Sequence, residues 1–244
     1  MAKQTGIIKL KGTIDGIIFY KLNGIDIARR QSGFTKEAIK NSPRMDRVRD
    51  NNSEFGDTSS VKKIFKDSLR PFFGNQKDGT LHSRMMSLFM QIKDCDGTSD
   101  RGKRRVAIGL QTPQGQQLLK RFDFTPYPLD LRNGIYDAAR FTYTVNNLDP
   151  LNLSYKNGAT YLELCFGVVV LDFEEMAAKL FASSPILIAK ETPLHDFSLT
   201  PTVAPAGNGM RIAVLGHRYL QEVNGEFYPL KDKVVYGLRV LGIE

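Results

Sequence analysis

GIIKLKGTIDGIIFYKLNGIDIARR, residues 6–30, holds three short apolar runs: Ile7–Lys11, Ile17–Lys21 and Ile25–Ala28. Asp15-Gly16 and Asn23-Gly24 stand between them. A two-residue hairpin loop of type I′ needs positive φ at both central residues, and Asn-Gly and Asp-Gly supply it most readily. The stretch therefore predicts a small three-stranded meander, and it sets the class of the whole chain as α+β. The expected division is a basic β-meander with a small helical bundle over residues 1–125, followed by an antiparallel β-sandwich over 126–244.

Outward from the meander the period changes. Thr35 to Lys40 has the makings of a helical turn, and Ser42-Pro43 is a helix start, with Ser as cap and Pro at the first helical position. Met45, Val48, Asn52 and Phe55 follow at helical spacing, with Gly56 as the expected stop. Ser59-Ser60 opens a second helix carrying Val61, Ile64, Phe65, Leu69 and Phe72, which Pro71 kinks or ends. Thr80 caps a third, with Leu81, Met85, Leu88, Phe89 and Ile92 on one face.

Beyond the polar loop Asp94–Arg105 the pattern reads as strands: Val106–Leu110, Gln117–Phe124, Ala139–Val145 and Ala159–Asp172, then Pro185–Ala189, Phe197–Val203, Met210–Gly216, Arg218–Val223, Glu226–Leu230 and Val234–Ile243. Glu174–Ala182 is the one helix-like piece there. Turn signals about every ten residues point to a sandwich, and Pro126 and Pro128 mark the expected joint.

The chain has 244 residues, enough for a substantial core, and 25% charged residues against 41% apolar ones place it among ordinary globular proteins rather than disordered ones. No apolar run reaches the ~18 residues needed to span a bilayer, and no apolar segment follows Lys3 as in a secretory signal. A cytoplasmic protein, or a component of a particle assembled in the cytoplasm, is expected. Cys95 and Cys165 are expected to be reduced thiols. The net charge of +8 is uneven: residues 1–122 hold 24 Lys/Arg against 12 Asp/Glu, and residues 123–244 hold 10 against 14. Such asymmetry suits a polyanion partner or head-to-tail packing of opposite surfaces.

Gly6–Ile14, followed by Phe19-Tyr20-Lys21, resembles the start of a family of uncharacterised Bacteroidetes proteins. That family's Arg-X-Asn-X-X-Glu-Phe-Gly element is matched by Arg49 to Gly56, and its closing hairpin by Tyr219 to Lys231. Between about Pro126 and Gly209 little matches. The resemblance implies no activity, so it narrows the fold and leaves the function open.

No motif speaks for catalysis, a cofactor or a metal. His82, His195 and His217 stand at no ligand spacing to one another or to a cysteine. His195-Asp196 are adjacent and no nucleophile elbow accompanies them. Asp94–Asp100 looks like a calcium loop, but Gly97 comes too early and position twelve is Arg105. The expected function is that of a non-enzymatic structural protein forming an ordered homo-oligomer (filament, shell or virion-like particle) by strand pairing at its termini, with itself or other structural proteins as partner. Ile7, Leu10, Phe19 and Tyr20 are the interface candidates. The alternative is a nucleic-acid-associated protein binding phosphates through Arg44, Arg47, Lys103, Arg104 and Arg105. No small-molecule substrate is evident.

Overall fold

In the computed structural model both N-terminal turns form as expected. Asp15 and Gly16 have φ of 46° and 71°, and Asn23 and Gly24 have 49° and 84°. The structure describes residues 1–31, 34–73, 78–125, 129, 131, 133–150, 153, 155, 158–191, 195–230 and 236–244. The chain divides into two units, Met1–Asn52 and Ser53–Glu244. The expected joint at Pro126 and Pro128 lies outside the described residues.

The first unit holds a four-stranded antiparallel sheet of β1 (Ala2–Lys3), β2 (Gly12–Ile14), β3 (Ile17–Leu22) and β4 (Ile25–Arg30), in the order β1-β4-β3-β2. Ile7–Lys11, expected as the first strand, is not one. The ladder with β3 stops at Gly12, whose φ of +117° is one that L side chains rarely adopt, so the chain turns off there. Leu10 is instead bracketed by the Gln4 side chain, whose Oε1 accepts from the Leu10 N–H at 2.8 Å and whose Nε2 donates to its carbonyl at 3.2 Å. Helix α1 (Lys36–Asn41) follows, its start capped by Thr35 Oγ1. Arg49 closes its other end, donating to the Ile39 and Ser42 carbonyls at 2.6 and 3.1 Å.

After a 3-10 turn at Pro43–Met45, α2 runs from Asp46 to Ser68, and the division between units falls within it. The expected stop at Gly56 does not occur. One glycine costs a helix only about 1 kcal/mol, and Glu54, Thr58, Val61, Lys62 and Phe65 bury one continuous stripe along it. The break comes after Leu69, where α3 (Arg70–Phe73) carries Pro71 at its second position. In α4 (Leu81–Asp94) the first turn is capped by Asp78 rather than Thr80. Asp78 Oδ1 accepts from the Thr80 and Leu81 N–H groups and the Thr80 hydroxyl.

Val106–Leu110 and Gln117–Phe124 are corrected from strands. Val106–Leu110 belongs to helix α5 (Val106–Gln111) and Gln117–Lys120 to helix α6 (Pro113–Lys120), with Arg121 to Phe124 following α6 outside any strand. Thr112 caps α6 through its hydroxyl, 3.0 Å from the Gly115 N–H, with Pro113 at the first position. A Cβ on Gly109 would lie 1.9 Å from the Ile92 carbonyl oxygen, so the absence of a side chain is what lets α5 lie against α4. The other correction is Glu174–Ala182. Asp172 Oδ1 accepts from the Glu174 and Glu175 N–H groups, Met176 takes a φ of 48°, and the chain folds back as a strand.

That strand is β8 (Ala177–Ala182). With β7 (Tyr161–Asp172), β9 (Ile186–Ala189), β11 (Met210–Val223), β12 (Glu226–Pro229) and β13 (Tyr236–Ile243) it makes a six-stranded antiparallel sheet. A three-stranded sheet joins β10 (His195–Leu199), β6 (Thr142–Leu148) and β5 (Gly134–Asp137). The near-continuous apolar run of β7 signals burial on both faces. Leu162, Leu164, Phe166 and Val168 share a core with Tyr143, Val145, Leu148 and Leu199 of the smaller sheet. Val169 and Leu171 share another with Phe65, Met85, Phe89, Leu110 and Leu119 of the helices. The α+β class is thus as expected, with the helices from Val61 onward packed on the larger C-terminal sheet.

The C-terminal strand is folded inward. Its Leu238 N–H is met by the buried Thr125 hydroxyl at 3.3 Å, and Tyr236, Leu238, Val240 and Ile243 lie in the helix-side core.

Candidate assembly surface

A sheet normally hides one face. In the first unit no described side chain is buried. Residues directly opposite on neighbouring antiparallel strands point to the same side, so the register assigns the faces. Ile14 lies opposite Ile17, and Phe19 opposite both Gly12 and Ala28. On the other side Ile18 faces Arg29, Tyr20 faces Ile27 and Leu22 faces Ile25. Both faces carry apolar side chains, the first beside Lys21, Asp26 and Arg30 and the second beside Arg29. Ile14, Ile17, Leu22 and Ile25 are 42–54% exposed, and Ile7 and Ile8 almost wholly so.

Of the interface candidates, Phe19 and Tyr20 are half-buried on opposite faces, with the Arg29 guanidinium 5.8 Å from the centre of the Tyr20 ring. Ile7 and Leu10 are exposed on the segment before β2. Inspection of the runs alone missed Ile18, Leu22, Ile25 and Ile27. The signal was present: a two-residue loop fixes the register, and counting outward from Asn23-Gly24 sets Leu22 against Ile25 and Tyr20 against Ile27.

In the second unit strand β12 is also exposed at every residue, and among the described residues it pairs with β11 alone. Phe227 and Tyr228 there, and Val223 beside them, are 42–55% exposed. The Asn224-Gly225 turn that builds this hairpin has φ of 53° and 82°.

The basic candidates separate into two groups. Arg44 and Arg47 are exposed in the first unit. In the second, Lys103 and Arg105 are exposed, whereas Arg104 is committed inward. Its Nε and Nη2 bond the two Glu54 oxygens at 2.9 Å each, and its Nη1 lies 2.9 Å from Asp94. Lys93 Nζ meets Glu54 at 2.6 Å and Asp94 at 2.7 Å, and the Gly102 N–H completes the set at 2.8 Å. The Arg104 bonds outweigh the cost of burial, and with Lys93 and Gly102 they hold the Glu54 carboxyl down at about 2. This cluster, with Glu54 and Lys93 each 2% exposed, is closed and internally paired. It pins α2 to α4 and to the Gly102–Arg105 segment.

The calcium-like loop is a folded turn. Burial opposes the charge of Asp96, but N–H groups from Arg105, Ser99 and Thr98 hold its carboxyl well below the usual range. Among the described residues no group of His, Cys, Asp and Glu is arranged to hold a metal ion. His82 lies 3.2 Å from Lys62 Nζ, and His217 is buried with its ring edge-on to Tyr219. The strand β10 begins at His195, whose side chain lies outside the described residues.

A shallow pocket with about 430 Å³ of empty space, part of it open solvent, is lined by Pro71, Phe72, Cys165, Leu180 and the Glu163–Arg218 ion pair. Burial pushes the Cys165 thiol up, which disfavours the thiolate a nucleophile needs. No family model matches the chain, and comparison with curated proteins and with solved structures finds no match. Among the described residues no helix is long and apolar enough to cross a membrane.

Proposed function

We propose that this is a non-enzymatic structural protein that assembles with copies of itself into an ordered homo-oligomer, such as a filament, shell or virion-like particle, through its N-terminal sheet. The observation that carries the proposal is the set of exposed apolar side chains on both faces of β1–β4, with no described side chain of the unit buried. Short sheets are stable in water only when a hydrophobic face is covered, and exposed apolar faces of this kind mark association surfaces.

A reading as a nucleic-acid-associated protein is favoured by one observation. Residues 1–52 carry eleven Lys/Arg against five Asp/Glu, and Arg44, Arg47, Lys103 and Arg105 are exposed. Size-exclusion chromatography with light scattering, over a concentration series at low and high salt, separates the two. Self-assembly gives a mass that climbs with concentration and persists in high salt. A strict monomer that shifts only on adding DNA or RNA, with affinity falling steeply with salt, would replace the first reading with the second.

A further inference from the structure

Beside Phe72 the larger sheet keeps a hollow on its helix-side face. Strands β7 and β11 run side by side there, with Cys165 directly opposite Gly216 and Glu163 directly opposite Arg218. Directly opposite residues share a face, and these four lie on the side of Val169 and Ile212, which the helices cover further along. The Phe72 ring fills the dimple at Gly167 and Gly216. Next to it the sheet presents a thiol and a glycine, where bulkier side chains would leave no space. Pro71 and Phe72 line the hollow from α3, Leu180 and Ala182 from β8, and Pro185 from the link to β9. The Glu163–Arg218 pair borders it and supplies its ionic groups.

Its chemistry narrows the ligand. About 430 Å³, part of it open solvent, lies at the low end of the range of small-molecule sites and suits one ring with a short substituent. A phenyl ring, two prolines and a glycine backbone offer flat apolar surface, which a planar ring matches. The charge is balanced. Arg218 Nε and Nη2 donate to the two Glu163 oxygens at 2.5 and 2.9 Å, and the pair acts on the Cys165 thiol with opposite signs. The Arg218 side chain is 39% exposed, and among the described residues its Nη1 meets no acceptor. The guanidinium thus retains a donor for one more hydrogen bond, whereas an ionic ligand would find no counter-charge of its own and would lose water on entry. We propose that this hollow binds a small uncharged aromatic molecule carrying one hydrogen-bond acceptor, with the ring over Cys165 beside Phe72 and the acceptor on Arg218. A part-buried ion pair adds little stability over apolar side chains of the same size; here it gives an otherwise apolar hollow its one polar handle.

The test adds benzamide, benzoate or benzylamine to the full chain and follows backbone amides by NMR. Benzamide is expected to give saturable shifts at Cys165, Leu180 and Gly216, and to bind about tenfold or more tighter than either charged probe. In a Cys95→Ser background it is expected to slow alkylation of Cys165 by N-ethylmaleimide in proportion to occupancy. Glu163→Gln/Arg218→Met removes the donor while keeping the hollow neutral, and is expected to weaken benzamide about tenfold. Should that pair of changes unfold the chain, the ranking of the three probes and the protection of Cys165 decide the matter in the folded parent. Absence of saturable shifts up to the solubility of benzamide, shifts confined to other surfaces, equal binding of all three probes, or undiminished alkylation of Cys165 at saturation overturns the proposal.

Discussion

Replacing Glu54 by Gln keeps the shape of the side chain and removes the buried one of the two carboxylates, Glu54 and Asp94, that Lys93 and Arg104 share. Lys93 is 2% exposed, so its ammonium cannot turn to water. The Gln amide would also present a donor to a donor. Removing one partner of a buried pair costs about 3–5 kcal/mol. The depression of the Glu54 carboxyl gives an independent figure. A fall from 4.5 to about 2 corresponds to ~3 kcal/mol of native-state preference for the charged form. Because the folded-state value is lowered, this contribution is fully present above pH 4.5 and is lost as the pH falls from 4.5 towards 2. Urea denaturation of Glu54→Gln at pH 7 should therefore show a loss of about 3–5 kcal/mol, a midpoint roughly 2 M lower for an m-value near 2 kcal/mol/M. Repeated down to pH 2, the gap between wild type and variant should close. Asp78 and Asp96 are also held low and will add to the acid loss in both proteins, so the difference between the two curves is the quantity to read. A variant within about 1 kcal/mol of wild type at pH 7, or a gap that does not narrow in acid, would refute the argument.

Three further outcomes are expected. Gly216→Ala places a Cβ 2.2 Å from the Phe72 ring, which rests in the dimple formed by Gly216 and Gly167; thermal unfolding should show a loss of about 1–3 kcal/mol, recovered in part by adding Phe72→Leu. Asp78→Ala removes three hydrogen bonds from the start of α4 and the Arg84 partner at 2.8 Å, and should cost about 1–2 kcal/mol in the same assay. On the proposed assembly, amide hydrogen exchange in β2–β4 should slow as protein concentration rises, since association would protect that sheet; exchange independent of concentration would count against it.

What could be read from the residues depended on whether the deciding constraint was local. Asn23-Gly24 and Asn224-Gly225 carry their own backbone requirement, so both hairpins were legible. The capping of α6 was legible in principle, since Thr112-Pro113 repeats the pattern of Ser42-Pro43, but the alternation of Val106, Ile108 and Leu110 fits a strand equally well. What settles it is the close approach of Gly109 to Ile92, a contact with another element. Helix α2 passes Gly56 because Glu54, four positions before Thr58, is held by Lys93 and Arg104, partners about 40 and 50 residues away in the chain. The fate of Glu174–Ala182 turns on β7 as a neighbour. Exposure of the first sheet on both sides was invisible because alternation shows which residues share a face and says nothing of whether that face is covered.

The energetics of that sheet bear on the kind of assembly to expect. Covering an aliphatic side chain fully is worth about 1.5–3 kcal/mol. Ile7 and Ile8 are almost wholly exposed, and Leu10, Ile14, Ile17, Leu22 and Ile25 about half so, which makes the total on offer of order 8 kcal/mol. Association costs about 4–15 kcal/mol in lost freedom. Apolar burial on one sheet therefore roughly balances the cost and cannot by itself hold a tight dimer. In the proposed assembly a molecule covered on both faces of its sheet gains from two contacts what a pair gains from one. On that proposal, surfaces that leave an isolated pair weak favour an extended array, with association that is reversible and steep in concentration.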